Sequence, residues 1–453
     1  MTANTSKPHT LSIQTIFKTW WPLAASWFFM SLEVTAVNAI IARLADPEIN
    51  LAAYGGIVYP ISLIVESPII MLLSASTALS KDWALYRQLR RYMLWMAAAV
   101  TAVHILVTFT PLYYFIARSL IGAPETIIEP SRVGLAIMLP WSAAIAYRRF
   151  NQGVMIRFGH SNAIAVGTTV RLLVNAAVLA AAYFSGAVPG VVAGAAAQAL
   201  GVTGEAIYTG LRVRPVLAQQ VRHAPSAEPL TLKGFLRFYI PLALTSLMTF
   251  VWQPIGSAGL SRMPAPLDSL AVWPVVYGLT FMLRSLGMAL NEVVVAMLDR
   301  TGSFGSLRRF THTLALVLGA ASILIAVSPL SMLWFNRVSA LPLTLSELAR
   351  VGFLLSMPVA SLVTFQSWYQ GLILHGRETR GISESVGIFL ITAVVVLGGG
   401  VRWGKTTGVY VSALAFTVAT LAQTAWQRRR SLPVLGAVRE RDAALTAAES
   451  AVR

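Results

Sequence analysis

The chain has 453 residues, of which 56% are hydrophobic, 12% are charged and none is cysteine. Soluble chains carry about 25% charge and a bilayer crossing needs about 20 mostly apolar residues, so a chain this apolar reads as a polytopic α-helical membrane protein and excludes a soluble domain of more than a few turns. The lack of cysteine removes disulfides, thiolate metal sites and cysteine nucleophiles together, while the net charge of +17 raises nucleic acid as a partner.

Twelve apolar segments follow in chain order, at 16–42, 50–79, 92–117, 131–150, 163–185, 188–211, 235–260, 268–298, 310–334, 346–372, 382–401 and 406–427. They divide the chain into a tail (1–15), a first lobe (16–211), a linker (212–234), a second lobe (235–427) and a second tail (428–453). Residues 1–10 are polar, and nothing after them reads as a cleavable signal peptide. With the N-terminus inside, 25 of the 35 lysines and arginines fall on the cytoplasmic side and 8 outside, while Arg171 and Arg284 lie within spans. This is the positive-inside bias. It accounts for the charge as topology, expects both termini in the cytoplasm, and makes Arg428, Arg429 and Arg430 a topological determinant rather than a nucleic-acid site. The expected setting is a bacterial inner (plasma) membrane, with lipids as neighbours, no nucleic acid and a monomeric chain.

Sliding the chain on itself by 218 or 219 positions aligns its two halves. Pro22, Leu23 and Ala24 meet Pro241, Leu242 and Ala243; Arg43 meets Arg262; Tyr59 meets Tyr277; Pro140 meets Pro358; Gln152 and Gly153 meet Gln370 and Gly371. Six spans per half is an even number, so both halves enter the membrane in the same sense. Transporters built from such parallel repeats bind substrate near the midplane and rock one half against the other.

Ionisable residues inside spans are costly, and those that persist usually face the bundle interior. They are Glu33 in span 1, Glu66 in span 2, Arg171 in span 5, Glu205 in span 6, and Arg284 with Asn291 and Glu292 in span 8. The repeat sets Glu66 opposite Arg284. Tyr59 and Glu66 are seven residues apart and share a helix face, as do Tyr277, Arg284 and Asn291. Two such stripes suit a polar or charged solute, or an ion pair that locks helices together. Glu33, among Trp20, Trp21, Trp27, Phe28 and Phe29, is the leading candidate for proton or cation coupling. Glu205, whose repeat partner is Gln423, and Glu384 read more simply as packing or interfacial groups. His104 is a lone histidine that a hydrogen bond to a backbone carbonyl would explain.

Two motifs mislead. Residues 399–406 satisfy the Walker A spelling, but Gly404 aligns with Gly186, and Lys405 and Thr406 align with Ala187 and Val188. A phosphate-binding loop also needs a strand before it and a nucleotide site. Gly190 and Gly194 form a G-x-x-x-G pair that allows close helix packing. No H-E-x-x-H or G-x-S-x-G pattern occurs, so no enzyme activity and no cofactor or metal are expected.

Two parallel six-span halves that each carry Pro-Leu-Ala in their first span resemble the multidrug/oligosaccharidyl-lipid/polysaccharide exporter superfamily. The loop signature of the other parallel six-plus-six group is missing at residues 80–87. Trp20-Trp21-Pro22-Leu23-Ala24 followed by Leu51-Ala52-Ala53-Tyr54-Gly55 is similar to the progressive ankylosis protein branch. The resemblance implies a two-lobe exporter of organic or phosphate-containing anions. Multidrug members exchange cationic drugs for sodium ions or protons through carboxylates, a role open here to Glu33 and Glu292. Span 7 offers only Gln253 and span 10 only Gln366 and Gln370. The leading reading is a secondary active exporter with alternating access, with Glu33 and Glu66 for H+ or Na+ coupling and Arg284 and Arg171 for an anionic substrate. A cation-type antiporter and a flippase for a lipid-linked precursor are the alternatives.

Overall fold

A computed structural model describes residues 11–226, 230–300, 302–376 and 380–451, with side chains to 444. Most of the N-terminal tail, the linker residues 227–229 and the last residues of the C-terminal tail lie outside this description. Every regular element among the described residues is a helix. Among the described residues, eleven helices are long and apolar enough to cross a membrane. The fourth of the twelve expected spans is helical as well, as Glu125–Ile137 and Leu139–Arg157. It fails only on apolarity, because its second half carries Arg148, Arg149, Asn151 and Gln152.

Bends in the helices have local causes. Span 4 breaks at Met138, two residues before Pro140, and its repeat partner breaks at Met357 before Pro358, since proline removes a backbone donor and clashes with the preceding turn. Span 2 (Pro47–Leu79) breaks at Met71 and span 8 (Pro266–Met297) at Ala289, again equivalent positions. The backbone repeats in finer detail. Asp46 and Ala265 share a left-handed conformation, with φ of 49° and 53°. Gly122 at φ 75° matches Ala340 at φ 56°, so the second half tolerates a Cβ where the first uses glycine. Such strain costs about 1–2 kcal/mol.

Two compact units can be delineated. The N-unit comprises residues 36–274 and 339–341, and the C-unit residues 1–35, 275–338 and 342–453. Most of span 1 therefore packs in the C-unit, and span 7 (Leu232–Ser261) in the N-unit. Within the C-unit, the Trp20 indole N–H donates to the Leu286 carbonyl at 3.0 Å, and its ring meets Phe310 edge-on. Leu11, Ile16, Trp20 and Ala24 bury against Leu290, Val293, Leu307 and Trp368. Within the N-unit, the Tyr239 hydroxyl donates to the Pro68 carbonyl. Tyr239 is the repeat partner of Trp20 and Pro68 that of Leu286, so each half's first helix makes the same aromatic-to-carbonyl bond with the other half's second helix.

Glycines set the closest approaches. A Cβ on Gly153 would meet the Leu73 carbonyl oxygen, Ser76 Cβ at 2.7 Å and the Thr77 nitrogen at 2.9 Å. Its partner Gly371 lies against Val294 in the C-unit. Gly190 and Gly194 admit Ile41, Asn50 and Tyr54, as the G-x-x-x-G reading expects. The Walker-like spelling fails on structure: residues 388–397 and 399–403 belong to helix Arg380–Trp403.

Helix ends in the two halves are capped differently. The Asp82 carboxylate accepts from Leu85 N at 2.8 Å and caps span 3 (Trp83–Phe109). Span 9 (Ser303–Val327) begins after Gly302, which has no side chain to offer. Its Phe304 N–H donates instead to Asp442 Oδ2 at 3.0 Å, from the helix Gly408–Ala451. Arg441 beside it donates to the Leu298 carbonyl at 3.0 Å, and Val438 is buried. The C-terminal segment is thus a docked helix.

Two outcomes follow for thermal unfolding of the purified protein. Gly153→Ala should cost about 1–3 kcal/mol, because its new methyl meets backbone, whereas Gly398→Ala, with open space around it, should be neutral or gain up to about 1 kcal/mol. Asp442→Ala should cost about 1 kcal/mol through loss of a helix cap, and an unchanged melting temperature would show that the cap contributes nothing.

Candidate functional site

Each unit has its own polar centre. In the N-unit, span 4 and span 6 (Gly190–His223) meet at an ion pair: Arg148 Nη1 donates to Glu205 Oε2 at 2.5 Å. Gln152, one turn along span 4, donates from Nε2 to Glu205 Oε1 at 2.9 Å. Arg171, on span 5 (Asn162–Ser185), brings its Nε within 3.6 Å of Glu205 Oε2. Glu205 is fully buried, and Arg148 and Arg171 nearly so. One carboxylate therefore joins three spans, held by two guanidinium groups and an amide. Gly167 and Gly201 allow the close packing of spans 5 and 6 that this needs, since a Cβ on Gly167 would touch the Glu205 side chain and one on Gly201 the Asn175 side chain.

Glu66 is also buried in this unit, within electrostatic reach of Arg148 and Arg149. Tyr59, on the same face of span 2, lies 6.3 Å ring to ring from Trp141 on span 4. Tyr59 and Glu66 thus both lie near span 4 within the N-unit.

In the C-unit, Arg284 Nη2 donates to the Tyr277 hydroxyl at 2.6 Å. Its guanidinium sits 5.2, 5.0 and 5.5 Å from the ring centres of Tyr277, Phe281 and Phe416. A cation held by ring faces keeps part of its hydrogen-bonding capacity for other groups. Asn291 Nδ2 donates to Gln370 Oε1 at 3.0 Å. Gln366 donates from Nε2 to the Thr420 carbonyl at 3.1 Å and to Gln423 Oε1 at 3.3 Å. Glu33 is buried and Glu292 is exposed.

The repeat links the two centres chemically. Gln366 is the partner of Arg148 and Gln423 the partner of Glu205, so a neutral amide contact in the C-unit stands where the N-unit has an ion pair. The sequence reading counted Arg148 and Arg149 with the cytoplasmic arginines and set Glu205 aside as a packing group. The structure places Arg148 and Glu205 in contact inside the N-unit. The available signal was the alignment itself: two polar residues in one half, both matched by glutamine in the other.

The remaining ionisable groups have local explanations. His104 Nε2 lies 3.0 Å from the Leu135 carbonyl, which assigns the proton to that nitrogen, and Nδ1 then accepts from the Ser142 hydroxyl at 3.1 Å. A neutral imidazole is thereby satisfied. Glu384 bonds Arg430 at 2.5 Å and Arg380 at 3.1 Å near a helix end. An apolar groove of about 440 Å³ between spans 4 and 6, lined by Pro140, Tyr147, Ile207 and Leu211, contains neither Arg148 nor Glu205. Among the described residues no three histidine, aspartate or glutamate side chains gather as a metal site.

No family model matches the chain, and no curated protein matches it by sequence. Solved structures do match. An inward-facing multidrug-resistance MATE family transporter of the MOP superfamily is 14% identical, with a TM-score of 0.66, and the match covers 92% of this chain and 99% of that one. The lipid II flippase MurJ, in an inward closed conformation, is 12% identical with a TM-score of 0.69, covering 92% and 91%. A MOP superfamily transporter from Pyrococcus furiosus, described as having a binding pocket of reverse polarity, is 14% identical with a TM-score of 0.55, covering 96% and 100%. The chain has the fold shared by the MATE transporters and MurJ.

Proposed function

We propose that this chain is a secondary active exporter working by alternating access, moving a small organic or phosphate-containing anion out of the cytoplasm in exchange for, or together with, protons or sodium ions. The observation that carries this is the charge of the polar centres. The N-unit interior holds Arg148, Arg149 and Arg171 against Glu66 and Glu205. The C-unit adds Arg284, held by aromatic rings and a tyrosine hydroxyl. Inside a membrane such charges demand partners, and an interior with more guanidinium than carboxylate accommodates an anion at least cost. The reverse-polarity pocket described for the Pyrococcus furiosus neighbour supports the idea that this fold carries either sign.

In this reading Arg284 contacts the anion with Tyr277 and Asn291 as polar neighbours in the C-unit, while in the N-unit Tyr59 lies beside Trp141 and Arg171 supports Glu205. Glu33 and Glu66 are the groups proposed for ion coupling. The chain works as a monomer in a bacterial inner membrane, with both termini in the cytoplasm and without a cofactor. A cation antiporter of the multidrug type is the second reading, favoured by the buried Glu33 carboxyl. A lipid-linked precursor flippase has the MurJ fold in its favour.

Purified protein should be melted with citrate, pyrophosphate, ATP, cationic dyes and a lipid-linked sugar, each at two pH values. An anion present at a hundredfold excess over its Kd should stabilise by about 2.7 kcal/mol, and Arg284→Ala should abolish that gain. Stabilisation by the dyes alone, lost in Glu33→Gln, would sink the anion reading. Separately, Glu205→Gln should cost about 3–5 kcal/mol, because it strands buried arginines. Gln423→Leu, at the equivalent position of the C-unit, removes only a neutral acceptor and should cost about 1–3 kcal/mol. Equal losses would mean that the ion pair does not hold the N-unit together.

A further inference from the structure

Spans 2 and 4 of the N-unit run side by side in a register that two contacts fix. Tyr59 meets Trp141 in a tilted ring contact, and further along Gly153 admits the Leu73 backbone. Positions 59 and 66 are seven apart, as are 141 and 148, so each pair lies on one helix face. Glu66 is therefore level with Arg148, and the two charges lie within electrostatic range of each other. Ser62 lies one turn from Glu66 on the same face.

At this level several buried polar atoms lack a hydrogen-bond partner. The donors are the Nε–H groups of Arg148 and Arg149, and the acceptors are Glu66 Oε2 and Gln152 Oε1, with the Ser62 hydroxyl able to act as either. Glu66, Ser62, Arg148 and Gln152 are each more than nine-tenths buried. The Arg148 Nη1 and Gln152 Nε2 are already committed to Glu205, so the unmet atoms are what remains after the structural pairing is complete. Orphaned polar atoms are rare in native interiors and usually mark a site for water or ligand. Arg149 is less deeply buried than Arg148.

We infer that spans 2 and 4 form an oxyanion subsite within the N-unit, in which Arg149 and the free edge of Arg148 donate to the ligand while Ser62 and Glu66 complete the contact. The ligand class is a compact oxyanion that can also offer a proton, such as a phosphate, a pyrophosphate or a partly protonated polycarboxylate. It would accept from the two guanidinium edges and donate to Glu66 or Gln152. Glu205 is a positioning residue here: it fixes Arg148 beside Arg149. The inference rests on the anion reading above, and it moves a principal contact from Arg284 to Arg149.

Pyrophosphate and citrate are the probes, titrated against wild-type protein, Arg149→Gln, Arg149→Lys and Arg284→Ala, with melting temperature and a direct binding isotherm as readouts. Arg149→Gln should weaken pyrophosphate at least tenfold while the ligand-free melting temperature stays within a few degrees of wild type. Arg149→Lys, which keeps the charge but loses the planar donor edge, should fall between the two and serves if the glutamine variant does not fold. Ser62→Ala should weaken binding by a smaller factor. If pyrophosphate stabilises the wild type and both Arg149 variants bind as tightly, the subsite is overturned, its orphaned groups hold only water, and the anion reading stands. If no anion stabilises the wild type, both fall.

Discussion

A charge in hydrocarbon must be matched inside its own bundle, and in the N-unit that requirement converges on one carboxylate. Glu205 takes Arg148 and Gln152 from span 4 and approaches Arg171 of span 5. Removing two guanidinium groups from water costs several kcal/mol each, and only close pairing returns it. The packing of spans 4, 5 and 6 is therefore dictated by where that carboxylate sits. The glycines at 167 and 201 follow from the same need, since they let span 5 approach span 6 at the level of the pair. The C-unit met the equivalent problem with Gln366 and Gln423. An amide pair buries more cheaply than an ion pair and attracts no counter-ion, so the two halves share a backbone and differ in electrostatic character.

The second organising feature is the exchange of first helices. Trp20 bonds to the carbonyl of Leu286, and Tyr239 to that of Pro68. Both acceptors lie three residues before a helix break, Pro68 before Met71 and Leu286 before Ala289. The last carbonyls before a break lose their donors in the helix ladder, which makes them natural targets for an aromatic N–H or O–H from a neighbouring helix. Indole and phenol serve equally because each carries one donor at the end of a large apolar body.

Most of the architecture was legible in sequence because it is periodic. Apolar runs, the shift of 218 or 219 and the paired prolines are one-dimensional signals, and the repeated breaks at 71 and 289 and the left-handed residues at 46 and 265 follow them. His104 and Glu384 also behaved as local reasoning expects. What sequence reasoning missed was pairing between spans. Arg148 and Arg149 stand at the inner end of an apolar segment, where a topology count takes them for loop charges, yet the helix continues to Arg157 and buries Arg148. Glu205 looked dispensable because its partner position is neutral. The meaning of that difference depends on which residue lies across from it, and span-to-span neighbours are not encoded in hydropathy. Glu292, named from sequence as a carboxylate of span 8 open to a coupling role, is exposed.

The exchanged helices and the remote cap have a consequence for the order in which the chain is made. A ribosome delivers span 1 long before span 8, so the indole of Trp20 enters the membrane 266 residues ahead of its acceptor. Tyr239 meets no such delay, because Pro68 precedes it by 171 residues. Span 9 likewise inserts with its first turn bare, and Asp442 arrives 138 residues later to close it. The early C-unit is thus a set of helices holding positions for partners still to be synthesised, while the N-unit can complete its contacts as it grows. Among these contacts, those of Arg441 and Asp442 are the last that synthesis can supply.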